Sequence, residues 1–219
     1  MGLTEPLLVL TIGQAPRLDI VAELADVIVG RPIEVRGALD GLAAVDVEAF
    51  PPISPADTLH TRMADGADVV VSKSEITLRL STLIKDAGDR PILVACTGHF
   101  AGLPERAGIL YPSDVLRNLV EAVLPVGGRL GVLVPLETQI EPFREQWHAT
   151  GRAATVVAVT PGHDSTAAAT ELRESGVEIV VMDCFGYSRS TLQQVRDLTG
   201  RPVLSAVRCA AHLANELLG

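Results

Sequence analysis

The sequence is poor in aromatic residues and in basic residues. Aromatic side chains make up 3% of the 219 residues, so the core must be aliphatic and the stacking platforms of single-strand nucleic-acid binders are missing. The 18 lysines and arginines are outnumbered by 27 aspartates and glutamates, which gives a formal net charge of −9. Because this charge repels phosphate backbones and anionic membrane surfaces, we expect neither nucleic acid nor a membrane as a partner.

Cysteine is also scarce, with three occurrences at Cys96, Cys184 and Cys209. An odd number of widely separated cysteines favours free thiols in a reducing compartment over a disulfide framework. Neither a Cys-x-x-Cys nor a His-x-x-x-His spacing is present, so we expect no structural zinc site and no metal.

Long apolar segments are missing as well. The first residues contain no basic region, and the apolar run at residues 7–12 is shorter than the apolar segment of a signal peptide. No stretch approaches the roughly 20 apolar residues that cross a bilayer. We therefore predict a cytoplasmic protein without a membrane span.

What the chain does contain is an alternation of two kinds of segment. Short runs of valine, isoleucine and leucine without polar alternation are typical of strands buried on both faces of a parallel sheet. Such runs lie at residues 7–11, 91–95, 129–135, 154–159, 178–183 and 202–206. Helical periodicity is found at residues 17–29, 75–85, 112–123, 139–150, 164–175, 191–198 and 206–218. The alternation predicts the α/β class.

A different pattern between residues 37 and 73 predicts a hairpin. The dipeptide Asp65-Gly66 separates two short β-prone runs, and Asp-Gly between such runs is a strong turn signal. We expect an insertion at about residues 57–73 of the first lobe. It either covers the site as a flap or lengthens the sheet as a surface hairpin.

An internal repeat predicts two lobes. VLTIGQAPR at residues 9–17 corresponds to VLVPLETQI at 132–140, and ILVACTGHF at 92–100 corresponds to IVVMDCFGYS at 179–188. We predict two pseudo-symmetric lobes, each with a mainly parallel sheet flanked by helices, and an active-site cleft between them. The first lobe takes residues 1–112 and 206–219, and the second takes residues 113–205.

In each half of the repeat a buried strand ends on a cysteine. Cys96 and Cys184 are each followed two positions on by a glycine, which lets the backbone approach a ligand and turn N–H groups toward an anion. Ligands bind at the carboxyl ends of parallel strands, so we expect a substrate carboxylate there. Candidate contacts are Gln14, Thr97, Gly98, Thr138, Gly186 and Tyr187. A lone cysteine is more often a small buried hydrophobe, and that interpretation suits Cys209 on a helical apolar face.

Two thiols facing one substrate carbon would act as a base and an acid on opposite sides of it, which inverts that centre. The thiolate is the active base. His163 either assists from the second lobe or is a solvated loop histidine with Asp164 as the helix N-cap. Asp183 would disfavour a thiolate at Cys184 if both side chains faced the same way, although alternation along a strand turns them apart.

Arg17 follows the first predicted strand after a short loop. Its guanidinium is a candidate for pairing a substrate carboxylate with two parallel hydrogen bonds. The alternative is a surface arginine at a helix start, where the helix dipole makes a cation slightly unfavourable.

Seven segments together carry a family resemblance over nearly the whole chain. They are TIGQAPR, DTLHTRMADG, ACTGHF, GVLVP, PGHDS, VVMDCFGYS and RPVLSAVRCAAHLANELL, in this order. The sequence resembles the AroM family, which looks like a branch of the aspartate/glutamate racemase superfamily with its hydantoin racemases, arylmalonate decarboxylases and maleate isomerases. The resemblance implies two pseudo-symmetric α/β lobes with the site between them.

The resemblance also implies roles for single residues. Cys96 and Cys184 match the two superfamily cysteines, and the resemblance implies that the loops containing Gly13 with Gln14, and Glu137 with Thr138, line the substrate. The chain has Thr11, Ile12 and Gly13 where the amino-acid racemases have an Asp-Ser-Gly type of loop, and Phe-Gly-Tyr after Cys184 where the glutamate enzymes have Thr-His. An amino-acid substrate is therefore not implied, whereas two retained thiols favour racemisation.

Three functions stay open at this point. The first is a cofactor-independent racemase or epimerase, acting at a carbon next to a carboxylate or carbonyl. The second is a non-catalytic protein that binds small acids and regulates metabolism, and the third is a related decarboxylase or isomerase of the same superfamily. Neither a phosphate loop nor a Gly-x-Gly-x-x-Gly motif is present, so no nucleotide cofactor is expected. The expected partners are a small carboxylate-bearing substrate and, as one option for assembly, a second copy of the chain in a homodimer.

Overall fold

The structure, a computed structural model, describes residues 5–218. Within that range the strands are β1 (Leu7–Thr11), β2 (Ile33–Gly37), β3 (Thr58–Arg62), β4 (Asp68–Ser72), β5 (Ile92–Ala95), β6 (Ile109–Leu110), β7 (Arg129–Val134), β8 (Ala153–Ala158), β9 (Ile179–Met182) and β10 (Val203–Ser205). The α-helices are α1 (Leu18–Ala25), α2 (Ala44–Val47), α3 (Lys73–Asp86), α4 (Pro112–Val123), α5 (Ile140–His148), α6 (Thr166–Glu174), α7 (Arg189–Thr199) and α8 (Ala206–Leu218).

The described chain divides into two compact units. Unit 1 contains the residues up to Pro112 together with those from Ala210 onward, and unit 2 is Ser113–Cys209. Each unit has its own parallel sheet and its own helices, which confirms the predicted α/β class. No helix within residues 5–218 combines the length and the apolar character that crossing a membrane requires.

Unit 1 is built on a four-stranded sheet with the order β2-β1-β5-β6, in which every pair is parallel. The central strands β1 and β5 are buried along their whole length, because their leucine, valine and isoleucine side chains are covered on both faces. Their parallel direction brings the ends at Thr11 and Ala95 to one edge of the sheet, where these two residues are register partners. That edge carries the candidate residues of the first half of the chain.

The predicted hairpin is formed by β3 and β4, which pair antiparallel from Thr58–Ser72 to Arg62–Asp68. Its turn is closed by hydrogen bonds from Met63 N–H to the Ala67 carbonyl at 2.9 Å and from Gly66 N–H to the Met63 carbonyl at 3.0 Å. Gly66 has a φ of 90°, a left-handed conformation that explains why glycine follows Asp65 here. The hairpin is a separate two-stranded sheet, so the alternative in which it lengthens the main sheet is wrong.

Unit 2 repeats the arrangement with a four-stranded sheet of order β10-β9-β7-β8, again entirely parallel. Gly131 in β7 lets the sheet approach its neighbours closely, because a Cβ there would lie 3.1 Å from Leu172 and 3.2 Å from Val177. The core of this unit also includes Tyr187 and Leu192. The carboxyl ends of β7, β8 and β9 share one edge, which carries the candidate residues of the second half.

The six runs predicted as strands are β1, β5, β7, β8, β9 and β10, and their ends differ from the prediction by at most one residue. The edge strand β2 was not predicted, because Glu34 and Arg36 interrupt its apolar pattern. These two side chains pair at 2.7 Å, and Arg90 also binds Glu34 at 2.7 Å. An edge strand held by charged pairs on a partly exposed surface gives no apolar run to detect.

Candidate functional site

The two predicted cysteine loops share one local geometry. Cys96 directly follows β5, and the N–H of Gly98 donates to its sulfur at 3.3 Å. Cys184 lies two residues after β9, and the N–H of Gly186 donates to its sulfur at 3.4 Å. An N–H aimed at sulfur stabilises a thiolate more than a thiol. The sequence repeat is therefore also a repeat of hydrogen bonding, in which the glycine N–H groups point at sulfur.

In unit 1 the hairpin lies against the Cys96 loop. A Cβ on Gly98 would lie 3.2 Å from the Cδ2 atom of Leu59 in β3 and 3.2 Å from the ring of Phe100. Cys96, Thr97 and Leu59 are all buried. The hairpin therefore covers one side of this loop, and its function as a flap over the site stays a prediction.

The loop after β1 is also joined to the hairpin. A Cβ on Gly13 would lie 2.3 Å from the Arg62 carbonyl oxygen, so only glycine fits there. The Gln14 backbone N–H donates to the same carbonyl at 3.1 Å. Its side-chain amide donates to the Leu39 and Leu42 carbonyls at 3.0 and 2.7 Å and accepts from the Ala64 N–H at 2.9 Å. Gln14 thus holds three segments of unit 1 together, and its predicted substrate contact would compete with these bonds.

Arg17 is placed by a left-handed backbone conformation, with a φ of 44° at the start of α1. Its Nε and Nη2 atoms donate to the two carboxylate oxygens of Asp19 at 2.9 and 2.7 Å, and Nη1 donates to the Thr11 hydroxyl at 3.3 Å. The side chain is 8% exposed, so it is no surface arginine. The guanidinium binds a carboxylate with two hydrogen bonds, but that carboxylate belongs to Asp19 of the same chain and not to a substrate.

Alternating charges continue from Arg17 and Asp19 onto the hairpin. Arg62 lies 3.8 Å from Asp19 and 2.8 Å from Asp68, and Asp68 lies 3.1 Å from the Nε2 atom of His60. Burial raises the pKa of Asp19, but the hydrogen bond and charge of Arg17 outweigh it and hold that pKa below its ordinary value. Burial lowers the pKa of His60 despite the Asp68 charge. Both carboxylates in this series of charged side chains, Asp19 and Asp68, are therefore paired with an arginine.

In unit 2 the Cys184 loop packs against the loop after β8. A Cβ on Gly186 would lie 3.3 Å from the Cγ atom of Pro161 and 3.7 Å from the Cys184 sulfur. Asp183, on the other side of Cys184, is 3% exposed, and the indole N–H of Trp147 in α5 donates to its carboxylate at 3.3 Å. A buried carboxylate next to a candidate thiol was noted in the sequence, but its tryptophan partner was not.

Tyr187 belongs to the core of unit 2 and does not face a ligand. Its side chain is 1% exposed, and its hydroxyl donates to the Val159 carbonyl at 2.7 Å. Burial, with smaller effects from Cys184 and Asp183, raises the pKa of Tyr187 well above its ordinary value. The predicted substrate contact of this hydroxyl is therefore corrected, because its single proton is used within the fold.

The remaining candidates of the second half lie on exposed loops. Glu137 and Thr138 begin the short 3-10 helix Glu137–Gln139 after β7. His163 is exposed, and Asp164 accepts from the backbone N–H of Thr166 at 3.2 Å and from its hydroxyl at 2.7 Å. This favours the solvated-loop interpretation of His163, with Asp164 capping the start of α6 from one residue before the N-cap Ser165.

Comparison with known families decides the identity at family level. The family described as "AroM protein" matches residues 7–218. The chain belongs to the AroM family. The comparison with curated proteins found no match.

Solved structures with the AroM chain's fold are known. Glutamate racemase isoform RacE1 from Bacillus anthracis is 14% identical with a TM-score of 0.59, covering 98% of this chain and 82% of that one. Glutamate racemase from Aquifex pyrophilus is 11% identical with a TM-score of 0.55, covering 97% and 83%. Unliganded arylmalonate decarboxylase is 12% identical with a TM-score of 0.51, covering 98% and 93%. At these identities the likeness shows the fold alone, which this chain shares with two glutamate racemases and a decarboxylase.

Residues of this AroM chain that sequence reasoning missed include Thr11, Asp19, Arg62 and Asp68. Thr11 and Asp19 bind the nearby Arg17, and Arg62 reaches Asp19 from the hairpin, but no motif in the sequence marks these residues. The exception is Arg62 with Asp68, which are register partners across the hairpin and follow from its turn position. Within residues 5–218, no group of three or more histidine, cysteine or acidic side chains is arranged to hold a metal ion.

Proposed function

We propose that the chain is a cofactor-independent racemase or epimerase that uses Cys96 and Cys184 for proton transfer at a carbon next to a carboxylate or carbonyl. The observation that carries the proposal is the matched pair of strand-end thiols, each accepting an N–H from the glycine two residues on. The fold shared with two glutamate racemases supports the same reaction class.

The reaction needs one thiolate and one thiol on opposite faces of the substrate carbon. The thiolate removes the proton, so that an S–H bond forms, the C–H bond breaks and the electron pair stays on the carbon as an enolate. The thiol then gives its proton to the other face and is left as a thiolate. Proton exchange with water restores the starting form, and no electron leaves or enters the protein.

In the proposed reaction the glycine N–H groups stabilise the charged form of each sulfur. They donate to the sulfurs of Cys96 and Cys184 and stabilise whichever of them is charged. The substrate carboxylate then has to be held by other groups. The buried Thr97, which follows Cys96 directly, and the exposed Glu137, Thr138 and His163 remain candidates for contact.

The test follows racemisation and α-proton exchange in deuterated water over a panel of chiral 2-substituted carboxylic acids. We expect the wild-type chain to racemise at least one acid with incorporation of one deuteron. Cys96→Ala and Cys184→Ala should each lower the rate of racemisation by about 10²-fold or more. Each variant should still exchange the α-proton of the one enantiomer whose proton faces the remaining thiol. The double variant should lose both.

Cys209→Ala is the matched control, because Cys209 lies in α8, where burial raises the pKa of its thiol. It should retain full activity. Exchange that persists in the double variant would remove the thiols from the mechanism. Thermal stabilisation by an acid without any exchange would support the binding protein instead.

A decarboxylase is the second candidate, favoured by the fold shared with arylmalonate decarboxylase. Such a reaction needs a single thiol as proton donor after loss of carbon dioxide. Carbon dioxide release from a 2-substituted malonate, lost in one cysteine variant and kept in the other, would favour it over the racemase.

A further inference from the structure

The inner face of the hairpin lies on the loops after both central strands of unit 1. Residues alternate along β3, so that Leu59 and Thr61 are buried while the other residues of the strand are partly exposed. A Cβ on Gly98 would lie 3.2 Å from the Cδ2 atom of Leu59, and a Cβ on Gly13 would lie 2.5 Å from the Oγ1 atom of Thr61. Leu59 therefore packs on the loop after β5, and Thr61 packs on the loop after β1.

The Thr61 hydroxyl is buried and has no hydrogen-bond partner among residues 5–218. On the Gly13 side it faces a Cα–H group, which is a weak donor. Two other buried threonines use their hydroxyls fully. The Thr11 hydroxyl accepts from the Gly13 N–H at 3.2 Å and from Arg17 at 3.3 Å, and the Thr199 hydroxyl donates to a carbonyl of α7 at 2.7 Å. Thr61 is therefore an exception that requires its own explanation.

Packing alone does not explain a threonine at this position. The buried hairpin side chains Leu59, Met63 and Val71 are apolar and belong to the core of unit 1. Valine has nearly the shape of threonine and buries no polar group, so it would stabilise the closed hairpin, packed on both loops as described, more than threonine does. Since buried polar groups normally have partners, the hydroxyl of Thr61 points to a partner from outside the chain.

The Thr61 hydroxyl lies at the sheet edge that carries Cys96. Thr11 ends β1 two residues before Gly13, and it is the register partner of Ala95, which directly precedes Cys96. Under the proposed function, an acid bound at this edge brings a carboxylate or carbonyl oxygen, and such an oxygen accepts a hydrogen bond from a hydroxyl. A substrate oxygen is therefore the partner whose chemistry fits Thr61.

We infer that Thr61 is a substrate-binding residue of the hairpin, and that its hydroxyl donates to a carboxylate or carbonyl oxygen of the bound acid. The choice of ligand rests on the proposed function. Because the closed hairpin covers the hydroxyl, the acid reaches it while the hairpin is open, and the new hydrogen bond then favours closure. Without the acid the buried hydroxyl opposes closure, so that binding and closure are coupled through this side chain.

The first experiment needs no ligand and compares Thr61→Val with Thr199→Val, by urea unfolding and by amide hydrogen exchange. Thr199→Val should lower the urea midpoint, because it removes the partner of the α7 carbonyl and of the Arg201 N–H. Thr61→Val should keep or raise the midpoint and slow exchange in β3 and β4 by about fivefold or more. A lowered midpoint or an unfolded Thr61→Val variant would overturn the inference, because the hydroxyl would then serve the fold. Hairpin exchange no slower than in the wild-type chain would overturn it as well.

The second experiment uses the panel of chiral 2-substituted carboxylic acids and measures the rise in melting temperature of the wild-type chain, Thr61→Val and Thr61→Ser. We expect at least one acid to stabilise the wild-type chain. Thr61→Val should bind that acid about tenfold more weakly, whereas Thr61→Ser should keep most of the affinity because it retains the donor. Equal affinity of Thr61→Val and the wild-type chain, or a panel without any stabilising acid, would overturn the inference.

Failure of the proposed function gives a different result. It would appear as an acid whose binding depends on the Thr61 hydroxyl but whose α-proton is not exchanged by the wild-type chain. That outcome would exclude the racemase and support the role of Thr61 in binding.

Discussion

At the level of single residues, the candidate site depends on close contacts between backbone segments that one additional Cβ atom would prevent. Gly13 is the clearest case, because its missing Cβ leaves room for the Arg62 carbonyl of the hairpin. The φ of this glycine is ordinary, so its requirement is one of space and not of backbone conformation. A glycine in a sequence does not reveal which of these two reasons applies.

Gly13→Ala should destabilise the chain by about 1–3 kcal/mol, because the methyl group must push the hairpin backbone away from the loop after β1. Urea unfolding followed by circular dichroism measures the loss. Gly186→Ala is the comparison, since its Cβ would meet Pro161 at the milder distance of 3.3 Å, and it should cost less. Equal stability of Gly13→Ala and wild type would mean that the loop and hairpin do not pack as described.

Asp57 ties the base of the hairpin to α3. Its Oδ1 atom accepts from the Ser74 N–H at 2.9 Å and from the Ser74 hydroxyl at 2.7 Å, and its Oδ2 atom accepts from the Ile53 N–H at 3.2 Å. Burial raises the pKa of the Asp57 carboxyl, but these hydrogen bonds outweigh it and hold the pKa below its ordinary value. The charged form is therefore the one that stabilises the fold.

This pKa predicts a pH-dependent cost for Asp57→Asn. Because the folded pKa is depressed below the unfolded value of 3.8, the stabilisation is fully present above that value and is lost as pH falls through the folded pKa. We expect Asp57→Asn to lower the free energy of unfolding by about 1–3 kcal/mol at pH 7 and by less below pH 3.8. Asp86→Asn, on the exposed end of α3, should show no such trend. A cost that does not change with pH would contradict the role of the charge.

At the scale of elements, the hairpin is the part of unit 1 whose placement matters most for the site. The contacts to the neighbouring loops include the Arg62 carbonyl with the loop after β1, Leu59 with the Cys96 loop, and Ala64 with the Gln14 side chain. None of these contacts comes from sheet pairing with β1 or β5. The hairpin is therefore attached by loop contacts and by its buried side chains Leu59, Met63 and Val71, which belong to the core of unit 1.

Gln14→Ala should loosen the hairpin, because it removes two donors and one acceptor and leaves the Leu39 and Leu42 carbonyls and the Ala64 N–H without this partner. We expect a loss of about 2–4 kcal/mol and faster amide exchange in β3 and β4. Gln193→Ala, which removes an exposed hydrogen bond to Asp197, should leave both measurements unchanged. Unchanged hairpin protection in Gln14→Ala would show that the apolar contacts suffice.

At the scale of the whole molecule, the repeat visible in the sequence appears as two parallel sheets with corresponding orders, β2-β1-β5-β6 and β10-β9-β7-β8. In both units the strand that opens the half pairs with the strand that ends at the cysteine loop, β1 with β5 and β7 with β9. A duplicated plan places equivalent loops at equivalent edges, and each copy is then free to change. Asp183 in one copy and the Arg17 contact in the other are such changes.

The amino-acid sequence alone predicts the fold class, most of the strands and the positions of the cysteine loops, because these are local features. Fully apolar runs predict buried strands, and Asp65-Gly66 predicts a turn. The glycine after each cysteine predicted N–H groups turned toward a ligand, whereas the structure directs them to the cysteine sulfur. The prediction from sequence left out β2, whose charged residues show no buried pattern, and the two-residue strand β6.

Which polar side chains form hydrogen bonds inside the fold depends on tertiary contacts that the sequence does not reveal. Gln14 and Tyr187 have the residue types of substrate contacts, yet their partners are carbonyls that lie 25 and 28 residues away in the sequence. Arg17 binds the neighbouring Asp19 with two hydrogen bonds and also binds the Thr11 hydroxyl. A side chain's preference for a partner is a local property, whereas the identity of that partner depends on which distant segments folding brings within hydrogen-bond distance.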